Sequence, residues 1–165
     1  MSLEHPHVLW TSCNSNPYEV QKAVTQSRML SGRFRDDKLT RHFSENRSGA
    51  CLLCQNSGQP HPPVGDLHHL LLHCPSLQVQ RAELYKYWKR NTDNCEHDIK
   101  RIVADFQTQS EKYKMQFLLD CSVLPDIIQI AQNSSSDILV VLFQITRTYC
   151  HSLHRERLKL INRWQ

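Results

Sequence analysis

The chain lacks most of the features that mark a membrane, secreted or all-β protein. Hydrophobic residues make up 39% of it and aromatic residues 8%, which is low for a globular protein but above the disordered range. It contains no run of 18 apolar residues, so we expect no membrane-spanning helix and no membrane partner. Few segments alternate polar and apolar residues, which argues against a large sheet. The start lacks the apolar stretch of a signal peptide, so we expect an intracellular protein, nuclear or cytoplasmic, with reduced cysteines.

The sequence patterns that accompany catalysis are missing as well. There is no Gly-rich phosphate loop, no His-Glu-x-x-His motif and no Ser-His-Asp order. Asp36-Asp37 is the only pair of adjacent aspartates. It stands among basic residues before a predicted helix, where capping explains it better than metal-ion catalysis. We therefore expect that the chain is not an enzyme.

What the sequence does contain is a C-x₂-C-x₁₄-H-x₄-C pattern, formed by Cys51, Cys54, His69 and Cys74. Two cysteines separated by two residues can bind one ion from a tight turn, and a His and a Cys spaced by four can complete a tetrahedron. Four protein donors leave no open position for water, so we expect one structural Zn²⁺. His68 and His73 stay open as alternatives to His69.

The spacing of apolar residues and caps predicts a mainly α fold. We expect roughly six to eight helices around a small irregular CCHC zinc knuckle in the N-terminal half of the helical domain. The chain divides into a flexible extension (1–15), basic helices with the knuckle at 50–75 (16–92) and a helical C-terminal region (93–165). The longest helix is predicted from Asp137 to about Trp164. The C-terminal helices should bury together Leu118, Leu119, Ile127, Ile128, Leu139, Leu142 and Phe143.

Positive charge is concentrated before the knuckle. Six Lys or Arg residues lie between Arg28 and Arg47, against three acidic residues. Local basic surfaces of this kind favour polyanions, although a solvated helix face is their commoner meaning. In that second interpretation Arg33 and Arg35 pair with neighbouring acids. The nominated nucleic-acid contacts are Arg28, Arg33, Arg35, Lys38 and Arg41.

Several short motifs occur together along the chain. They are Arg28-Met-Leu-Ser-Gly-Arg-Phe-Arg35, Lys38-Leu39, Cys51-x₂-Cys54, Leu67-His-His-Leu-Leu-Leu-His-Cys-Pro75 and Trp88. Together they resemble the zinc-binding region at the C terminus of non-LTR (LINE-type) retrotransposon reverse transcriptases. The resemblance spans roughly Tyr18 to Trp164. It implies that the zinc segment and the basic stretch beside it contact nucleic acid.

These observations predict a non-catalytic, zinc-stabilised nucleic-acid-binding fragment. The endonuclease and reverse transcriptase modules of the family it resembles are absent from this chain. The partner would be RNA or DNA, and the oligomeric state is left open. One alternative is a helical protein–protein interaction module. Another is a decayed transposon-derived fragment without a present function.

Overall fold

The computed structural model describes residues 7–13, 16–37, 48–134 and 137–163. Within these ranges the regular structure is helical and contains no strand, so the predicted mainly α class is confirmed. A π-helical turn (His69–His73) and three short 3₁₀ turns (Pro75–Leu77, Phe106–Thr108 and Cys121–Val123) join the α-helices. The α-helices are α1 (Val8–Thr11), α2 (Pro17–Leu30), α3 (Leu52–Asn56), α4 (Gln78–Thr92), α5 (His97–Asp105), α6 (Glu111–Asp120), α7 (Pro125–Asn133) and α8 (Ile138–Asn162).

The long helix α8 supports most of the others. It contacts α1, α2, α3, α4, α6, α7 and the π turn, whereas α5 packs on α4. Its inward-facing side chains recur every three or four residues, which places an apolar stripe along one side of the helix. Full burial of one such side chain contributes about 1.5–3 kcal/mol. The buried set includes Ile138, Leu142, Phe143, Ile145, Tyr149, Cys150 and Leu153.

Two hydrogen bonds fix α4 and the π turn to α8. The indole nitrogen of Trp88 donates to the Ile145 carbonyl at 3.1 Å, and the Tyr149 hydroxyl donates to the Leu71 carbonyl at 2.9 Å. The Trp88 ring also lies 5.1 Å from that of Tyr149, centroid to centroid, inside a cluster of aromatic side chains. Residues from both predicted regions, 16–92 and 93–165, therefore contribute to one core.

The N-terminal residues 7–13 differ from the flexible extension that the sequence predicts. They form the short helix α1, whose Leu9 is 2% exposed. The fully buried Arg147 guanidinium donates to the Ser12 hydroxyl at 2.7 Å and to the Ser12 carbonyl at 3.0 Å. Its Nε donates to Glu19 at 2.9 Å. A four-residue helix is too short to show periodicity in the sequence. A buried cation requires hydrogen-bond partners, and Ser12 supplies two of them, so Arg147 holds this segment against α8.

Most of the predicted C-terminal core is buried, with one exception. Leu118, Ile127, Leu142 and Phe143 are fully buried, and Leu119 and Leu139 are half-buried against them. The prediction is wrong for Ile128, which is 39% exposed. Adjacent helical residues point about 100° apart, so turning Ile127 inward on α7 turns its neighbour towards solvent.

Local sequence signals set both ends of α2. The Asn16 side chain accepts from the Tyr18 backbone nitrogen at 2.9 Å, and Pro17 occupies the first helical position. At the other end Gly32 has a φ of 68°, a left-handed conformation that glycine adopts without a Cβ clash. No helix in the described part of the chain combines the length and apolar character that crossing a membrane requires.

Replacing Tyr149 by Phe tests how the π turn is fixed to α8. The substitution leaves the Leu71 carbonyl without its hydroxyl donor in a buried setting, which should lower the free energy of unfolding by about 1–3 kcal/mol. Urea denaturation measures the change. Tyr18→Phe removes a hydroxyl from a side chain that is 44% exposed, and it should leave the midpoint nearly unchanged. Equal effects of the two variants would contradict this account.

Candidate metal centre

The first pair of sulfur donors comes from the beginning of α3. Cys51 immediately precedes the helix, and Cys54 lies within it. Residues three apart on a helical turn face the same side, so both thiols point the same way. Leu53 between them is completely buried and anchors the turn in the core. The C-x₂-C spacing and an apolar residue inside it therefore position this half of the site.

The second pair of donors lies on the π turn. His69 begins this turn and Cys74 follows it, and the Cys74 backbone nitrogen donates to the His69 carbonyl at 2.7 Å. On an α-helix, residues five apart would point about 140° apart. The wider π turn brings them to the same side, because its hydrogen bonds join residues five apart. Asp66 caps the segment, because its side chain accepts a hydrogen bond from the His69 backbone nitrogen at 2.9 Å.

The four side chains converge as the sequence predicts. The Cys74 sulfur lies 3.9 Å from that of Cys51 and 4.0 Å from that of Cys54, and the Cys54 sulfur lies 3.3 Å from His69 Nε2. All four donor atoms are within 4.8 Å of one another. A tetrahedral ion with Zn–S bonds of ~2.3 Å and a Zn–N bond of ~2.0 Å requires S–S edges of about 3.8 Å and S–N edges of about 3.5 Å. The donor set, which we call the Cys₃His cluster, thus has the dimensions to hold a metal ion.

The cluster brings three thiols together in a buried setting, and each affects the pKa of the others. Hydrogen bonding from Cys74 lowers the pKa of the Cys51 thiol to about 3, against the desolvation that raises it. Burial, followed by repulsion from Cys51, raises the pKa of Cys54 to about 11. Hydrogen bonding to Cys51 and burial raise the pKa of Cys74 still further. The protein alone therefore favours one thiolate here, whereas a bound cation would stabilise all three.

The alternative histidine ligands face elsewhere. His68 Nε2 and His73 Nε2 each lie 3.0 Å from a carboxylate oxygen of Glu111, outside the Cys₃His cluster. Their side chains are 42% and 44% exposed, whereas His69 is buried. Of the three candidates, the geometry thus selects His69.

The long loop between the two halves is held by backbone contacts. Cys51 donates to the Pro63 carbonyl at 2.8 Å, and Gly65 donates to the Gly49 carbonyl at 2.9 Å. Gly65 passes so close to its neighbours that an added Cβ would lie 2.6 Å from the Asp37 Cβ and 2.8 Å from the Cys51 Cα. Glycine is therefore required at this crossing, and the irregular loop returns the chain to the site.

Asp37 joins the metal centre to α8, a role that the sequence did not reveal. One of its carboxylate oxygens accepts from the Leu52 backbone nitrogen at 3.1 Å and so caps α3, fifteen residues later. The other lies 2.6 Å from the Arg157 guanidinium on α8. The sequence predicted that the Asp36-Asp37 pair caps the helix that directly follows it. Asp37 caps α3 and pairs with Arg157, and both partners are too far along the chain to leave a local signal. Both carboxylate oxygens are thus engaged away from Arg33 and Arg35.

Three of the five nominated basic residues meet at one concave surface. Arg28, Arg33 and Arg35 line a cavity of about 530 Å³ between α2 and α8. Arg28 also lines an adjoining cavity of about 570 Å³, together with Arg155. We call the surface lined by Arg28, Arg33, Arg35 and Arg155 the basic groove. Lys38 and Arg41 lie outside the described residues.

The floor of the basic groove is less charged than its rim. Phe34 is buried and packs edge-on against the ring of His154, with centroids 5.0 Å apart. Burial and the nearby Arg157 lower the pKa of His154 to about 4, so this imidazole is neutral at pH 7. The positive charge of the groove therefore comes from exposed arginines, and the Arg157 charge is neutralised by Asp37.

Comparison of this chain with protein-family models, with curated proteins and with solved structures finds no match.

Metal removal should loosen the site before the rest of the fold. Chelation is expected to raise amide hydrogen exchange across Cys51–Cys74 while α2, α6 and α8 stay protected, because these three helices contact one another directly. Cys51→Ser should reproduce the effect, and Cys95→Ser, outside the cluster, should not. If every helix lost protection together, the metal centre and the helical core would be one cooperative unit.

Asp37→Asn tests the connection to α8. The amide keeps an acceptor for Leu52 but leaves the Arg157 guanidinium buried without a counter-charge. Both side chains are under 10% exposed, at 4% and 8%. Removing one partner of such a pair should cost about 3–5 kcal/mol of unfolding free energy. Chemical denaturation measures it, with Glu83→Gln, which breaks an exposed ion pair with Lys86, as the control. A cost no larger than that of the control would contradict the proposed connection.

Proposed function

We propose that this chain is a non-catalytic nucleic-acid-binding module whose knuckle is stabilised by one structural Zn²⁺. The observation that carries the proposal is the placement of the basic groove next to the Cys₃His cluster, with Asp37 and Arg157 between them. The sequence resemblance to the C-terminal region of non-LTR retrotransposon reverse transcriptases agrees with this function.

The chemistry of the donors supports zinc. Three thiolates and one imidazole match the soft and borderline ligands that Zn²⁺ prefers, and the observed edges match a tetrahedron. All four residues are buried, with Cys54 and Cys74 completely inaccessible. Since four protein donors fill the coordination sphere, the ion would be structural. It would hold in place the loop between Cys54 and His69, whose own residues bury little apolar surface.

The shape and charge of the basic groove support a polyanionic partner. Its arginines are exposed and surround a concave surface, and planar guanidinium groups suit bidentate phosphate contacts. Arginines contributed by α2, by the segment after it and by α8 would contact several phosphates in succession. Tyr18, 44% exposed at the edge of the groove, offers an aromatic ring for stacking with a base. We expect weak binding that tolerates sequence changes.

A second candidate function is protein docking. Val20 and Leu158 are 39% and 42% exposed, and both line the outer part of the groove beside Tyr18. Exposed apolar side chains in one concave surface are also typical of interfaces. Salt separates the two candidates, because phosphate contacts release counterions and apolar contacts do not.

The test is the salt dependence of binding to single- and double-stranded DNA and RNA. Log affinity falls as log salt concentration rises, and each phosphate contact makes this negative slope steeper by about 0.7–0.9. Replacing Arg28, Arg33 and Arg35 by Ala should therefore make the slope shallower by about two to three units. Fluorescence anisotropy at several salt concentrations measures it.

The matched control removes the same charge elsewhere. Lys89, Arg90 and Lys100 are exposed on α4 and α5, and replacing them by Ala should leave the slope nearly unchanged. Equal slopes for the two triple variants would show that the loss follows net charge and not the groove. Absence of binding to every nucleic acid at low salt would reject the proposed function in favour of docking.

A further inference from the structure

The π turn and the residue before it carry a second pair of potential donors besides those of the Cys₃His cluster. His69 and Cys74 are five residues apart and face the interior. His68 and His73 are also five residues apart and face solvent, with ring centroids 4.7 Å from each other. On a regular α-helix these two imidazoles would point about 140° apart. The π turn that builds the buried site therefore also brings the exposed histidines together.

A third donor completes this exposed group. Glu111, the first residue of α6, places one carboxylate oxygen 3.0 Å from His68 Nε2 and the other 3.0 Å from His73 Nε2. The donor atoms of the three residues all lie within 4.8 Å of one another. Two imidazoles and one carboxylate are the donor set that binds borderline divalent ions with coordination positions left open.

We propose that His68, His73 and Glu111 form a second metal site, which takes a borderline divalent transition-metal ion such as Zn²⁺, Ni²⁺ or Cu²⁺. The ion binds both imidazoles and the carboxylate, and water fills its remaining positions. Exposure distinguishes this site from the Cys₃His cluster: the side chains are 42%, 44% and 56% exposed. It should therefore be weaker and exchange faster than a buried four-ligand site.

Metal binding here would have a structural consequence. Glu111 belongs to α6, whereas His73 ends the π turn and His68 immediately precedes it. An ion held by all three would cross-link α6 to the π turn. Because the three donors are brought together only in the folded chain, the ion should raise the melting temperature, and the rise should grow with the logarithm of the free metal concentration.

The test is a Ni²⁺ titration of the full chain without an affinity tag, after one equivalent of Zn²⁺ has been bound. Ni²⁺ suits imidazole donors and does not favour a site of three thiolates. Calorimetry should show one further equivalent bound, together with a rise in melting temperature. His68→Ala, His73→Ala and Glu111→Gln should each weaken it by more than about tenfold, the loss that even supporting residues around a metal can produce.

Matched surface variants serve as controls. His97→Ala removes a histidine that is 87% exposed, and Glu83→Gln removes a carboxylate that, like Glu111, is 56% exposed. Neither should change Ni²⁺ affinity, and circular dichroism should show every variant folded. No second equivalent in the parent chain would overturn the site, as would equal affinity in the His68 and His97 variants. Retained affinity in Glu111→Gln would overturn the three-donor arrangement.

Co²⁺ distinguishes this site from the buried one. Co²⁺ bound by three thiolates gives intense thiolate-to-metal charge-transfer absorption. Co²⁺ bound by imidazole and carboxylate donors gives only weak d–d bands. A second Co²⁺ equivalent should therefore bind without adding thiolate absorption. If the second equivalent increased that absorption, the ion would be at cysteines and the site would be refuted. Lack of thiolate absorption in the first equivalent would instead count against the Cys₃His cluster.

Discussion

The fold around the knuckle depends on how the protein interior accommodates three thiols and an imidazole within 4.8 Å of one another. Burial opposes charge on Cys54 and Cys74, and one thiolate at Cys51 opposes the others. A divalent cation removes this conflict, because it replaces mutual repulsion by shared coordination. The same ion would close the loop between Cys54 and His69, whose own residues bury little apolar surface. A bound metal would thus add to the apolar anchors of this segment, such as Leu53 and Leu71, by holding the loop that has few of its own.

The metal centre and the basic groove share one connection to the long helix. Asp37 caps α3 with one oxygen and binds Arg157 with the other, and Arg157 lies on the same side of α8 as the groove. Breaking the knuckle should therefore disturb the position of the segment that carries Arg33 and Arg35. A structural ion can in this way control a binding surface that it does not touch.

The sequence predicts the helices and the donors well because both depend on local signals. Asn16 and Pro17 begin α2, Gly32 ends it, and the C-x₂-C pair sits at one turn. The sequence did not reveal what depends on distant partners. Arg147 recruits α1 from a segment without periodicity, and Asp37 pairs with Arg157 across 120 positions. The sequence named His69 as the ligand and left His68 and His73 open. It did not predict the π turn, which is needed because α-helical spacing does not bring His69 and Cys74 to the same side.

We propose that the Cys₃His cluster holds one zinc ion, and native mass spectrometry of the full chain is the sharpest test of that occupancy. After exchange into metal-free volatile buffer, the folded chain should retain the mass of one Zn²⁺. Cys51→Ser should lose that mass, whereas Cys95→Ser and His68→Ala should keep it. A folded chain without metal, or a zinc adduct that survives when Cys51→Ser is combined with His68→Ala, would contradict a zinc ion at the cluster.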